Sequence, residues 1–213
     1  SAKHFAANNQ ENRRMSVSEE IDERTLNEIY LAAFEGAVRD AKPYTLMCSY
    51  NRINGTFSSE NKRLLTDILR NKWGFEGLVM SDWGAVNQRP KGVAAGLDLE
   101  MPSSGGVNDA KIVEAIKKGT LSEEDVNLCC ERVLTMVDNY YSGRDENAVW
   151  DKDADHALAV EIAAQSMVLL KNEDTLPLNK NISVALYGNG ARNTIKGGTG
   201  SGDVNTRSNT NIE

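Results

Sequence analysis

At 213 residues the chain is long enough for one domain or parts of two, and 40% hydrophobic with 26% charged residues is the composition of an ordinary soluble globular protein. Its net charge of −7, with no basic stripe, argues against nucleic acid as a partner, and no apolar run approaches the roughly 20 residues that a membrane-spanning helix needs. Cys48, Cys129 and Cys130 have neither metal-ligand spacing nor the pairing of a disulfide framework, so no metal site and a cytoplasmic setting are expected.

The opening, Ser1-Ala2-Lys3-His4-Phe5, is neither a signal peptide nor an initiating Met, and the chain reads as an excerpt of a longer one. Ser16-Val17-Ser18-Glu19 has the form of a capping box. Leu26, Ile29, Tyr30, Ala33, Phe34, Ala37, Val38 and Ala41 then recur at i, i+3, i+4 spacing, which predicts a long helix stopped by Pro43. Thr45-Leu46-Met47-Cys48 reads as a short buried strand and Asn54-Gly55 as a turn. A second helix is expected over 61–73, with Leu64, Leu65, Ile68, Leu69 and Trp73 on one face and Gly74 at its C-terminal cap. Gly77-Leu78-Val79-Met80 is again a strand, and Ser81-Asp82-Trp83-Gly84 follows it directly. The apolar stretch 93–99 reads as a further strand that runs into Glu100-Met101-Pro102.

Two more helices follow. One carries Ile112, Val113 and Ile116 and ends at Gly119; the other opens with Ser122-Glu123-Glu124-Asp125 and presents Val126, Cys129, Val133 and Val137. Over 142–155 the pattern dissolves into Gly and charged residues. The expected organisation is therefore a first domain over 1–142, a linker over 143–154 and a second domain over 155–213. Beyond the linker a helix over 155–171, a strand over 182–187 and a Gly-rich end over 188–202 are expected. Strands alternating with helices, each strand ending in polar or aromatic residues, are the signature of an α/β fold with a parallel sheet. Such folds place their chemistry at the C-terminal ends of the strands. The residues to inspect are then Ser49, Tyr50 and Asn51, Ser81, Asp82 and Trp83, and Glu100.

An acidic residue just past a buried strand is held rigidly, as Asp82 would be, although an Asp in that position also serves as a helix cap. Trp83 beside it offers a flat apolar surface to a sugar ring. Lys3 and His4 together supply donors for vicinal hydroxyls, or simply form a charged surface pair. Taken together, Lys3-His4-Phe5, Met47-Cys48-Ser49-Tyr50-Asn51, Ser81-Asp82-Trp83 and Gly96-Leu97-Asp98-Leu99-Glu100-Met101-Pro102, in this order, resemble the family 3 glycoside hydrolases of β-glucosidase type over essentially the whole chain.

The resemblance implies the later part of a (β/α)8 TIM-type barrel followed by the start of an α/β sandwich domain. It implies hydrolysis of terminal non-reducing β-D-glucosyl units with retention, on a β-glucoside or oligosaccharide substrate. Asp82 would be the nucleophile and Tyr50 its hydrogen-bond partner; Lys3 and His4 would bind sugar hydroxyls, with Trp83 as the aromatic platform. No metal or organic cofactor is implied. A retaining enzyme needs a second carboxyl group about 5–5.5 Å from the nucleophile. In the glucosidase branch that general acid is a Glu of the second domain, and none of Glu100, Glu161, Glu173 or Glu213 can be assigned to it. The N-acetylglucosaminidase branch carries a Gly-His-Gly after its Lys-His segment; here that stretch reads Asn8-Asn9-Gln10-Glu11-Asn12-Arg13-Arg14.

Three other readings compete. A β-xylosidase or another β-glycosidase of the same family fits the same residues. A nucleotide-binding loop in the Gly-rich end is disfavoured, because the Walker spacing and an acidic ribose ligand are missing. The third is an incomplete, non-catalytic fragment, since about four strands cannot close a barrel that takes eight. It would need the rest of the barrel and sandwich, in the same or another chain.

Overall fold

A computed structural model of the chain describes residues 1–206. They fall into two compact units, 1–147 and 148–213, the second described as far as residue 206.

The first unit is built on a three-stranded parallel sheet in the order β1-β3-β6, formed by β1 (Ala2–Phe5), β3 (Thr45–Cys48) and β6 (Leu78–Met80). Its register sets Ala2 against Leu46, Phe5 against Cys48, and Leu46 against Val79. Strands β3 and β6 are short, mostly apolar runs that bury Leu46, Cys48, Leu78 and Val79, as parallel strands generally do, whereas β1 buries Phe5 and leaves Lys3 exposed. Gly77 precedes β6 because no side chain fits there: a Cβ would stand 2.3 Å from the Tyr44 carbonyl that receives the Leu78 amide.

Between β1 and β3 runs a helix, α1 (23–41), made of the successive segments Glu23–Thr25, Leu26–Tyr30, Ala32–Gly36 and Ala37–Ala41. It ends at Lys42, in the left-handed conformation, directly before Pro43. Its start differs from the expected capping box. Asp22 is the cap, its carboxylate accepting from the Thr25 amide, while Ser18–Glu19 form a strand, β2. β2 pairs in parallel with β4 (Arg52–Ile53), which turns through Asn54-Gly55 into the antiparallel β5 (Thr56–Phe57). Asn54 and Gly55 both have positive φ (48° and 86°), the two-residue turn their sequence announces. The Asn54 side chain bonds both the amide and the carbonyl of Ile21, and Ser18 Oγ accepts from the Gly55 amide. The Ser-x-x-Glu pattern thus serves a hairpin, not a helix end.

The second helix, α2 (Arg63–Lys72), is closed by Trp73 donating to Ile68, a wider turn than the i, i+4 pattern implies. Asn61 caps its start through the Leu64 amide, and Gly74 follows its end. One face of α1 and one of α2 bury Leu26, Leu31, Val38, Leu64, Leu65, Leu69 and Trp73 with Phe5, Leu46 and Val79 of the sheet. The Phe5 ring meets Phe34 edge-on at 5.0 Å and Trp73 at 5.8 Å.

The expected strand over 93–99 does not form. Residues Arg89–Ala95 are a helix, α3, capped by Gly96, and the sheet is joined beyond it at a single parallel bridge between Met80 and Leu99. Apolar runs this short do not distinguish a buried strand from a buried helix. Helices α4 (Val107–Lys117) and α5 (Glu123–Gly143) complete the unit, α5 with the expected Ser122 cap. A second cluster joins Val93, Ala115, Leu121 and Cys129.

In the second unit one helix, α6 (Lys152–Gln165), begins three residues before the expected start and is capped by Asp151. Residues 182–187 form no strand, because a strand requires a hydrogen-bonded neighbour and none of the described residues pairs with them.

Candidate active site

Because β1, β3 and β6 run in parallel, the residues leaving their C-terminal ends converge on one edge of the sheet. Asp82, two residues past β6, is 8% exposed. Its Oδ1 accepts from the Trp83 amide at 2.7 Å, and its Oδ2 faces His4 Nε2, from β1, at 3.6 Å. The sheet therefore brings together two of the expected residues that stand 78 positions apart in sequence (82 − 4).

Tyr50 follows β3 and is buried against the same edge. Its hydroxyl donates to the main-chain carbonyl of Trp83 at 2.9 Å, where the resemblance implied Asp82 as partner. The carboxylate is nevertheless close. Burial raises the phenol's pKa first, and the nearby charge of Asp82 raises it further. Trp83 is 58% exposed, an open indole face next to the carboxylate. Lys3 is exposed beside His4 on β1.

Ser49 and Asn51 take another part. Both are buried, and both donate to the Ala6 carbonyl, at 2.9 and 3.2 Å, fixing the turn that leaves β1. Glu100 is committed elsewhere: Asn108 donates to its Oε1 at 2.5 Å, and Arg89 lies 4.0 Å from Oε2. Glu161 accepts from Gln165, and Glu173 pairs with Lys171. Glu213 lies outside the described residues.

One residue at this edge was not singled out from sequence. Arg14 lays its guanidinium over the Tyr50 ring at 4.7 Å while bonding Glu11 Oε2 at 2.8 Å. Its pKa is raised, chiefly by the Glu11 hydrogen bond, with Tyr50 and Asp82 adding smaller contributions. Its signal was position alone, in a polar loop that leaves the same end of the sheet as His4. The arrangement offers a buried carboxylate with one oxygen fixed by an amide and the other turned toward an imidazole. A cation and an exposed aromatic surface flank it, which suits a neutral polyhydroxylated ring. Among the described residues, no cluster of His, Cys, Asp or Glu side chains could hold a metal ion.

Comparison with known proteins adds an independent line. The family model for the glycosyl hydrolase family 3 N terminal domain matches residues 1–136. The chain is 54% identical over 203 residues to a thermostable beta-glucosidase B of Acetivibrio thermocellus, covering 95% of this chain and 27% of that protein. It is 47% identical over 181 residues to an exo-alpha-(1->6)-L-arabinopyranosidase of Bifidobacterium breve, covering 84% of this chain and 24% of that protein. Among solved structures, beta-glucosidase 3B from Thermotoga neapolitana in complex with alpha-D-glucose superposes with a TM-score of 0.88 at 42% identity, over 96% of this chain and 30% of the other. The chain thus spans about a quarter of the length of these curated relatives.

Proposed function

The chain belongs to glycosyl hydrolase family 3, and from that premise we propose that it carries the nucleophile half of a retaining β-glucosidase site, with Asp82 as the nucleophile. The observation that carries this reading is Asp82 itself, a buried carboxylate with one oxygen held by the Trp83 amide and the other 3.6 Å from His4. In this reading residues 1–142 are the later part of a (β/α)8 barrel, 143–154 a linker and 155–213 the start of a sandwich domain. The remaining barrel strands and the general acid come from outside these residues.

An Asp82 oxygen attacks the anomeric carbon as the glycosidic C–O bond breaks, and the general acid gives its proton to the leaving oxygen. The result is a covalent glycosyl-enzyme. The same acid, now a base, takes a proton from water, whose oxygen attacks the anomeric carbon and expels Asp82. Two inversions give a product of unchanged configuration. His4, Lys3 and Arg14 bind ring hydroxyls, Trp83 stacks on the sugar, and Tyr50 fixes the loop that carries Asp82.

The test is mass spectrometry after incubation with a 2-deoxy-2-fluoro-β-glucoside bearing a good leaving group. A glucosyl adduct on the peptide containing Asp82 is the expected result, and Asp82→Asn should abolish both adduct and turnover. Turnover surviving within about tenfold, roughly 1.4 kcal/mol of barrel-site chemistry, removes Asp82 from the role. The arabinopyranosidase relatives favour a second sugar, an L-arabinopyranosyl unit. An adduct with the corresponding fluoro-arabinopyranoside and none with the glucoside would select it.

A further inference from the structure

We propose that residues 98–101 act as a template that positions Asp82, through the Ser81 hydroxyl and the Asp98 carboxylate; this rests on the reading of Asp82 as the nucleophile. Strand β6 has a regular partner, β3, on one side. On the other, the chain returning from α3 meets it through one bridge, Met80 to Leu99.

Side chains and single main-chain bonds make the rest of that contact. The Val79 amide donates to Asp98 Oδ2 at 2.7 Å, a bond that a neighbouring strand's carbonyl would otherwise supply. The Val79 carbonyl accepts from the amides of Asp98 and Leu99, at 3.0 and 3.1 Å. The Ser81 amide donates to the Leu99 carbonyl at 2.9 Å. Ser81 Oγ both accepts from the Met101 amide, at 2.8 Å, and donates to the Met101 carbonyl, at 3.1 Å. The Gly84 amide closes on that same carbonyl at 2.9 Å. Asp82 therefore lies between two residues, Ser81 and Gly84, that are both tied to Met101.

The tie is built to be stiff. Ser81 and the Asp98 side chain are fully buried, so water does not compete for their hydrogen bonds. Asp98 is held in turn by Arg70 Nη2 at 2.6 Å and Arg132 Nη1 at 3.0 Å. Nucleophilic attack at an anomeric carbon needs near-attack geometry, and a displacement of about 1 Å costs on the order of a hundredfold in rate. A hydroxyl bonded twice to one residue fixes both the distance and the rotation of the backbone that carries Asp82.

The test uses the intact protein and 2,4-dinitrophenyl β-D-glucoside, whose leaving group departs without a proton. Ser81→Ala should slow the covalent step about ten- to a hundredfold, while the dissociation constant of glucose, read by calorimetry, moves by less than about twofold. The same substitution is then made in an Asp82→Gly background with azide as external nucleophile. An azide nitrogen bonds to the anomeric carbon, the C–O bond breaks toward dinitrophenolate, and α-glucosyl azide forms. That route bypasses the Asp82 side chain, so adding Ser81→Ala should leave the azide-supported rate unchanged. An equal loss with and without Asp82, or no loss with Asp82 present, overturns the template. If azide yields no product, glucose binding decides: a Ser81→Ala that weakens glucose as much as it slows the reaction is structural only. Full activity of Asp82→Gly without azide sinks the nucleophile reading instead. Asp98→Asn should show the same split between rate and affinity, and should it fail to fold, Ser81→Ala still decides.

Discussion

Cys48 ends β3 on the same sheet edge as the candidate nucleophile, completely buried. Burial chiefly pushes its thiol up to about 12, with the charge of Asp82 adding to the effect, and burial does the same for Cys129. An unfolded thiol titrates near 9. The folded protein therefore keeps protons that the unfolded chain loses. The stability these thiols contribute is whole below pH 9 and falls as pH rises toward 12, by up to about 1.4 kcal/mol per pH unit for each thiol. Urea midpoints measured from pH 8 to 10.5 should decline, and Cys48→Ala should make that decline shallower. At this scale the motif residues were legible because each is a chemically distinctive side chain at a strand end. Arg14 and the Trp83 carbonyl were not. One reaches the site by the path of its loop, and the other is a backbone atom that no residue identity reveals.

At the scale of elements, the start of α1 shows two local rules in competition. Ser16-Val17-Ser18-Glu19 satisfies a helix-capping pattern, yet Ser18 and Glu19 pair with Arg52 and Ile53, and the cap falls to Asp22. The strand wins because the Asn54-Gly55 hairpin fastens residues 18–21 through three further hydrogen bonds. Asp22→Ala should then destabilise the protein by about 1 kcal/mol, as the loss of an N-cap does. Ser16→Ala should cost under about 0.5 kcal/mol, since its hydroxyl makes one exposed bond to the Arg13 carbonyl. Chemical denaturation of the two variants reads the difference; the reverse order would restore the capping box. The stretches 93–99 and 182–187 depart from the expected strands for a related reason. A short apolar run states that it is buried or able to pair, and its neighbours settle which structure it takes.

At the scale of the first unit, Asp98 joins distant elements. Its carboxylate, fully buried, pairs with Arg70 of α2 and Arg132 of α5, and Arg70 also donates to the Gly77 carbonyl that precedes β6. Removing one partner of a buried ion network leaves an uncompensated charge, which costs about 3–5 kcal/mol. Arg70→Met, at a side chain 8% exposed, should therefore lower stability by about 3 kcal/mol. Arg132→Met, at one 22% exposed, should cost clearly less. Equal and small losses in a urea titration would mean that solvent already screens the pair.

The sequence by itself determined what periodicity and residue chemistry encode: an α/β chain with parallel strands, the helices α2, α4 and α5, the Asn54-Gly55 turn, and strand-end residues that include His4, Tyr50 and Asp82. Those signals are local, because side-chain spacing and turn chemistry act within a few residues. The tertiary structure decided which strand-end residues meet. The 3.6 Å approach of His4 to Asp82, the Tyr50 bond to the Trp83 carbonyl and the tie from Ser81 to Met101 all join segments distant in sequence. Such contacts are fixed by sheet register and buried hydrogen bonding, which no short window of sequence contains.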